Sequence, residues 1–318
     1  MNRRHVVLVS YGEPPAPDFA AQFAYSFRIL QGLTRIIAAI PAPLLPLIAL
    51  SRARSRRRLW RARGYGSPLE AITTAKAARV RSTLEAMDRD VQWTAHVAYE
   101  FRKPLLETVL RGLPPDEPVW VVPMYAADSA FTHALSRQIA GRVSEAQTRS
   151  APIRVLPAID ADRLAALSAQ HILNHLPGTG FEASSTALVL AAHGTLLEPQ
   201  KPIETGLENT ERLRHAIEAR LGQSFGMVTH GWLNHARGGR WTEPPMDQAL
   251  RGVVDAGFLN AVYFPYGFLA DNAETQLEGR VISESLPQLD IRFLPCLNDS
   301  VGLAEAVAAQ ILWSATAP

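Results

Sequence analysis

Cysteine is almost absent from this sequence, acid is absent from one long stretch, and no long apolar run goes unbroken. Cys296 is the lone cysteine of 318 residues, which excludes an intramolecular disulfide and any all-cysteine cluster held by one chain, and fits a reducing compartment. No acidic residue lies between Asp18 and Glu70, while Arg28, Arg35, Arg52, Arg54, Arg56, Arg57, Arg58, Arg61 and Arg63 all fall inside that interval. The net charge is only +2, so this basic stretch is local and implies no bulk attraction to nucleic acid. The opening apolar run, Val6 to Val9, is too short for a secretory signal, and a cytoplasmic protein is expected. The most apolar window, residues 29–50, is interrupted by Pro41, Pro43 and Pro46. Prolines remove backbone donors and break a continuous helix, so a membrane span is not expected there.

What is present is alternation. Short β-branched runs are separated by longer Ala/Leu/Arg segments of helical period, the pattern of βαβ units and a parallel sheet. Four candidate strands start at His5, Val91, Pro118 and Pro152, and four more at Thr186, Gly226, Asn260 and Asp290. The two sets echo each other. "VLVSYGEPP" from Val7 matches "VLAAHGTLLEP" from Val189, with Tyr11 opposite His193, and "VVPMYAAD" from Val121 resembles "VYFPYGFLAD" from Val262. At this length two domains are the prior expectation. The expected fold is α/β: two similar Rossmann-like domains, each a doubly wound, parallel four-stranded sheet, with a cleft between them. The boundary is placed in the Pro/Gly/Ser-rich residues 174–185, giving domains 1–175 and 176–318. The apolar segment from Val301 is expected to be a helix that packs back on the first domain.

Residues 29–63 have two readings. The first is a helix and loop buried in the first domain. The second is an exposed apolar and basic lip that rests on an anionic bilayer or covers a flat apolar ligand. A single basic run without a recognised motif does not make a nucleic-acid site.

Two constellations carry chemistry. "LVLAAHGTLLEP" from Leu188 is an apolar strand that ends in His193 and a glycine, which puts an imidazole at the carboxyl end of a sheet, where open α/β folds bind ligands. "PYGFLADNAETQLE" from Pro265 spaces Asp271, Glu274 and Glu278 at i, i+3 and i+7, one face of a helix. The same spacing also reads as a capping box, with Asp271 as N-cap and Glu274 reaching back. An imidazole and carboxylates at strand ends are able to ligate a metal or to exchange protons. The spacing decides neither. The dinucleotide fingerprint is missing after the first strand.

Taken in order, these segments resemble the ferrochelatases, which insert ferrous iron into a porphyrin. "VLVSYGEPP" looks like the family's opening strand and Gly-x-Pro turn, and "GYGSPLEAIT" from Gly64 like its Gly-Gly-Ser-Pro-Leu motif. "VPMYAADSAFTHA" from Val122 is similar to its Tyr-Pro-x-Tyr-Ser segment, "LAAHGTLLEP" to its Ser-Ala-His motif, and "ARGGRWTEP" from Ala236 to its Gly-x-x-Trp-Leu-x-Pro stretch. "GFLADNAETQLE" and "CLNDS" match its acidic helix and its Leu-Asn-Asp ending. The resemblance implies His193 and Glu274 as the catalytic and metal-contacting pair, and Asp271 and Glu278 as a proton path beside it. It further implies porphyrin contacts from Tyr11, Ser67, Tyr125 and Trp241. Iron and porphyrin are substrates; no resident cofactor and no iron–sulfur cluster are expected.

The sequence departs from the family pattern at three places. Asn272 replaces a histidine beside Asp271, Glu100 and Phe101 stand where a basic or histidine residue is usual, and Asp128 occupies a usually small, neutral place. Tyr11 resembles coproporphyrin-using members, whereas the insert before Gly66 looks like the lip of protoporphyrin-using, membrane-contacting ones. Other activities kept in view are a cobalt or nickel chelatase for another tetrapyrrole, a porphyrin or heme carrier without catalysis, and a two-domain solute-binding protein. A monomer, cytoplasmic or peripheral on the inner membrane face through residues 29–63, is expected.

Overall fold

The structure is a computed structural model that describes residues 2–36, 40–199, 202–233 and 239–316. The chain runs β1 (Asn2–Ser10), α1 (Phe19–Ile36), α2 (Leu44–Ala62), α3 (Leu69–Met87), β2 (Val91–Tyr99), α4 (Leu106–Arg111), β3 (Val119–Pro123), α5 (His133–Gln147) and β4 (Ile153–Val155). Helix α6 (Ala161–Thr179) leads to β5 (Ala187–His193), α7 (Leu207–Leu221), β6 (Met227–Leu233), α8 (Met246–Asp255) and β7 (Asn260–Phe264). A π-helical turn (Glu274–Glu278) continues into α9 (Gly279–Ser283), followed by β8 (Asp290–Phe293) and α10 (Val301–Thr316). All eight expected strands are present.

They form two parallel four-stranded sheets of the same order, β2-β1-β3-β4 and β6-β5-β7-β8. The central strands are unbroken apolar runs because helices cover both of their faces. Val6 to Val9 of β1 and Ala187 to Ala192 of β5 are buried throughout. Identical strand order puts Tyr11 and His193 at matching places, one just past the end of β1 and the other at the end of β5. The echo in the sequence is thus an echo in topology.

The helices do not divide as the strands do. α6 packs against α7 and β7 of the second sheet, and α10 packs against α3 on the first. Each half lends a helix to the other. α3, α10, α6 and α7 form a contiguous row, and one hydrophobic cluster joins Val6, Leu8 and Trp120 with Leu188, Leu190 and Phe264. In α10, Leu303, Val307 and Ile311 are fully buried, each worth about 1.5–3 kcal/mol. Trp120 Nε1 also donates to Ser314 Oγ at 2.9 Å. α6 ends at Gly180, whose φ of +76° closes the helix in the left-handed region; this end lies within 174–185.

The described part of residues 29–63 forms a helical hairpin, the end of α1 packed on α2, rather than a helix and a buried loop. Pro41 and Pro43 precede α2 and Pro46 sits in its first turn, where a missing N–H costs nothing. The hairpin has a small core of its own, Leu30, Leu45 and Ala49 with Phe23, Phe27 and Ile48. Leu44, Leu47 and Leu59 remain 45%, 61% and 39% exposed. Among the described residues no helix is long and apolar enough to cross a membrane.

Candidate functional site

The carboxyl ends of β1, β3, β5 and β7 bring the two halves face to face. His193 is the last residue of β5; its side chain is 53% accessible although protein surrounds it and the strand before it is buried. Such a residue lines a concavity. Glu274 opens the π-helical turn after β7, and its Oε1 lies 2.7 Å from His193 Nδ1. Desolvation lowers the His193 pKa, but the charge and hydrogen bond of Glu274 and the charge of Glu278 outweigh it. The imidazole therefore holds a proton more tightly than an ordinary histidine.

The capping-box reading of this segment is corrected. Asn272, not Asp271, caps the turn: its Oδ1 accepts from Glu274 N at 2.8 Å and Thr275 N at 3.3 Å. Glu274 does not reach back, and its carboxylate is free to pair with His193. The expected single face of three carboxylates is also corrected. Asp271 precedes the turn and is buried, with Oδ1 accepting from Cys296 N at 2.9 Å and Oδ2 from Asn298 Nδ2 at 2.8 Å. It ties two loops together, and the chain turns between it and Glu274. Glu278, one turn on, faces the same region as Glu274 and acts on His193 through its charge. A π-helical turn carries an extra residue and recurs at functional sites.

Tyr11 stands across from this pair. Its ring packs on Phe101 at 4.8 Å and edge-on to Tyr125 at 6.1 Å. Burial raises the Tyr11 pKa, the Glu100 and Glu274 carboxylates raise it further, and Arg52 and Arg56 of α2 oppose them. The phenol is thus flanked by acids of both halves and by arginines of the hairpin. Tyr125 donates to Glu100 Oε2 at 2.8 Å, and Glu100 Oε1 has no hydrogen-bond partner among the described residues. Desolvation pushes the Glu100 carboxyl well up. Asp128 is held by Arg137 at 3.0 and 3.2 Å.

Ser67 is buried; it donates to Glu13 and accepts from Leu69 N at the start of α3. Trp241 lies on a loop that pairs with the one after His193: Leu197 N donates to Arg240 O at 2.8 Å and Thr242 N to Thr195 O at 3.0 Å. Ala236, Arg237 and Gly238 of that motif, and residues 37–39 of the lip, lie outside the described residues. The string Gly222-Gln223-Ser224-Phe225-Gly226 has the spelling of a hydrolase nucleophile elbow, but it joins α7 to β6, a helix-to-strand turn where an elbow runs strand to helix. Arg52 and Arg56 belong to the basic lip expected over the site, and Glu100 was marked only as a departure from the family pattern; Glu13 was not predicted here. The only hint of Glu13 was an acid just after an otherwise apolar strand.

The ferrochelatase family model matches residues 3–314. A ferrochelatase of Synechococcus sp. strain JA-2-3B'a(2-13) is 25% identical over 333 residues, covering 98% of this chain and 94% of that protein. Among solved structures, SirB from Bacillus subtilis with Fe3+ aligns with a TM-score of 0.55 at 13% identity, over 99% of this chain and 96% of that one. CbiX, the terminal enzyme for siroheme biosynthesis in denitrifying bacteria, aligns with a TM-score of 0.53 at 19% identity, over 99% of this chain and 100% of its own. These structures share the fold of two parallel α/β sheets. By the match across nearly its whole length, the chain belongs to the ferrochelatase family of metal chelatases.

Proposed function

We propose that the cleft binds a porphyrin and ferrous iron and joins them to give heme, with His193 and Glu274 at the ring centre. Insertion exchanges one Fe2+ for two pyrrole protons, so the site must accept two protons while the ion sheds water. The observation that carries the reading is the 2.7 Å pairing of His193 with Glu274, directed into a concavity opposite Tyr11. An imidazole backed by a carboxylate takes up a proton readily and keeps its charge compensated. The same two groups also suit ligation of iron. Tyr11, Tyr125, Ser67 and Trp241 would border the ring, and rigid walls on both sides would hold it bent, with its nitrogen lone pairs turned toward the ion. No resident cofactor takes part.

The hairpin is read as the cover of this cleft. Arg52 and Arg56 turn toward Tyr11. Arg54, Arg57, Arg58 and Arg61 line a shallow groove on the outer side. Leu44 and Leu47 are exposed on the same helix. The outer face suits contact with an anionic bilayer, for a cytoplasmic, monomeric protein resting on the inner face of the membrane. The porphyrin is expected to be protoporphyrin or coproporphyrin, and the assay with each separates the two.

The test is anaerobic incubation with ferrous iron and each porphyrin, followed by absorbance. His193→Ala should abolish insertion and leave porphyrin binding within about tenfold, since apolar contacts supply most of the affinity. Full activity in that variant refutes the assignment. Cobalt and nickel are the competing metals in the same assay, since the alternative reading is a cobalt or nickel chelatase for another tetrapyrrole. A carrier without catalysis would have no use for a proton-accepting pair at the ring centre.

A further inference from the structure

Glu13 is a buried carboxylate that the reaction as described leaves unused. It follows Gly12, whose φ of +84° and close packing on the Tyr99 side chain leave no room for a Cβ. That turn aims Glu13 inward from the first half of the chain. Its Oε1 accepts from Ser67 Oγ and, at 3.0 Å, from Ala273 N of the second half. Only 8% of the residue is exposed.

Ala273 is the residue before Glu274, and its N–H is one of the unpaired donors that every helical segment leaves at its start. Asn272 satisfies the next two, Glu274 N and Thr275 N. The cap of this turn is therefore assembled from two halves of the protein, a local asparagine and a glutamate 260 residues away. Whatever fixes Ala273 also fixes the backbone from which Glu274 reaches His193. Burial raises the Glu13 pKa to about 7, against the opposing effects of Ser67, Ala273 and Arg56, so the contact is kept at a cost that an ordinary surface acid would not bear.

We propose that Glu13 is a positioning residue for metal insertion: by capping the turn from the opposite half, it holds the Glu274 carboxylate against His193. The inference rests on Glu274 being a reacting group. It assigns the acceptor oxygen, not the charge, as the feature that matters.

Glu13→Leu keeps bulk without an acceptor, Glu13→Ala removes both, and Glu13→Gln keeps the acceptor. The first two should lower kcat at least about tenfold with KM for porphyrin changed less than about threefold, because a small displacement of a reacting group costs rate rather than affinity. Glu13→Gln should restore kcat to within about threefold of the parent. In 15N-labelled, porphyrin-free protein, the His193 Nδ1 signal of Glu13→Leu should move toward that of Glu274→Ala, and that of Glu13→Gln should stay with the parent. An unchanged His193 signal or an unchanged kcat in Glu13→Leu overturns the proposal, as does a Glu13→Gln that behaves like Glu13→Leu. Failure of the underlying reading looks different: Glu274→Ala itself would insert iron at the parent's rate. Should Glu13→Ala not fold, Glu13→Leu and Glu13→Gln carry the test alone.

Discussion

Replacing Glu13 with glutamine should stabilise the protein at alkaline pH and leave it unchanged in acid. The folded state holds the Glu13 proton to about pH 7, against 4.5 for an unburied glutamate. For a carboxyl whose folded pKa is raised, stability is complete below the unfolded pKa and is lost as pH climbs through the folded one. Each pH interval between the two values is worth about 1.4 kcal/mol, so the ionised carboxylate costs the folded state about 3 kcal/mol by pH 8 and less than about 1 at pH 5. Glutamine keeps the acceptor for Ser67 and Ala273 and carries no charge. With an unfolding entropy proportional to chain length, that difference corresponds to a rise in Tm of roughly 5 °C at pH 8. Thermal melts of parent and Glu13→Gln at pH 5, 6.5 and 8 would follow it. A difference in Tm that stays flat across the series refutes the reasoning, because the carboxylate would then have to be solvated or paired.

Lys76 is 2% exposed, donates to Leu269 O at 2.8 Å, and is driven by desolvation to a pKa of about 8. Stability should therefore rise from pH 8 toward 10.5 as the folded state sheds the proton first, and the gap between parent and Lys76→Met in urea should shift by roughly 2 kcal/mol in the parent's favour between pH 7 and 10; a constant gap contradicts a buried ammonium. Changing Arg54, Arg58 and Arg61 together to serine should weaken binding to phosphatidylserine vesicles by roughly 100-fold at low salt, at about 1 kcal/mol for each basic residue. Melting should hardly move, since exposed charges add little stability; a lower Tm with undiminished vesicle binding assigns the groove a structural role.

The strands were legible because two-sided burial demands continuous apolar runs, which Val6 to Val9 and Leu188 to Ala192 supply without interruption. His193 was legible for the same reason: a polar residue ending such a run is conspicuous. The acidic segment was only half legible. Its spacing fits a cap, a metal face and a proton path alike, and the choice among them was made by Asn272 taking the N–H groups and by Cys296 and Asn298 taking Asp271. Local spacing cannot register partners that lie 25 and 27 residues away. Glu13 lay further still from view, since its partner is on the other half of the chain. The prolines of residues 29–50 were legible as breaks that rule out a membrane span, but not as the start of a second helix, and the inward turn of Arg52 and Arg56 depended on how α2 lies on α1.

The exchange of α6 and α10 between the halves also sets an order of events in biosynthesis. Strands β1 to β4 are complete by residue 155, yet the helix that covers Val6, Leu8 and Trp120 beside α3 is residues 301–316. A nascent chain therefore carries a sheet face that α3 covers only in part through the synthesis of the whole second half, at a time when most multidomain proteins have already folded their first unit. α6 meets the opposite situation, since its own sheet does not exist when it emerges. The two halves must mature together, and a ribosome stalled in β6 would present both an unfinished sheet and an unclaimed helix to chaperones and proteases.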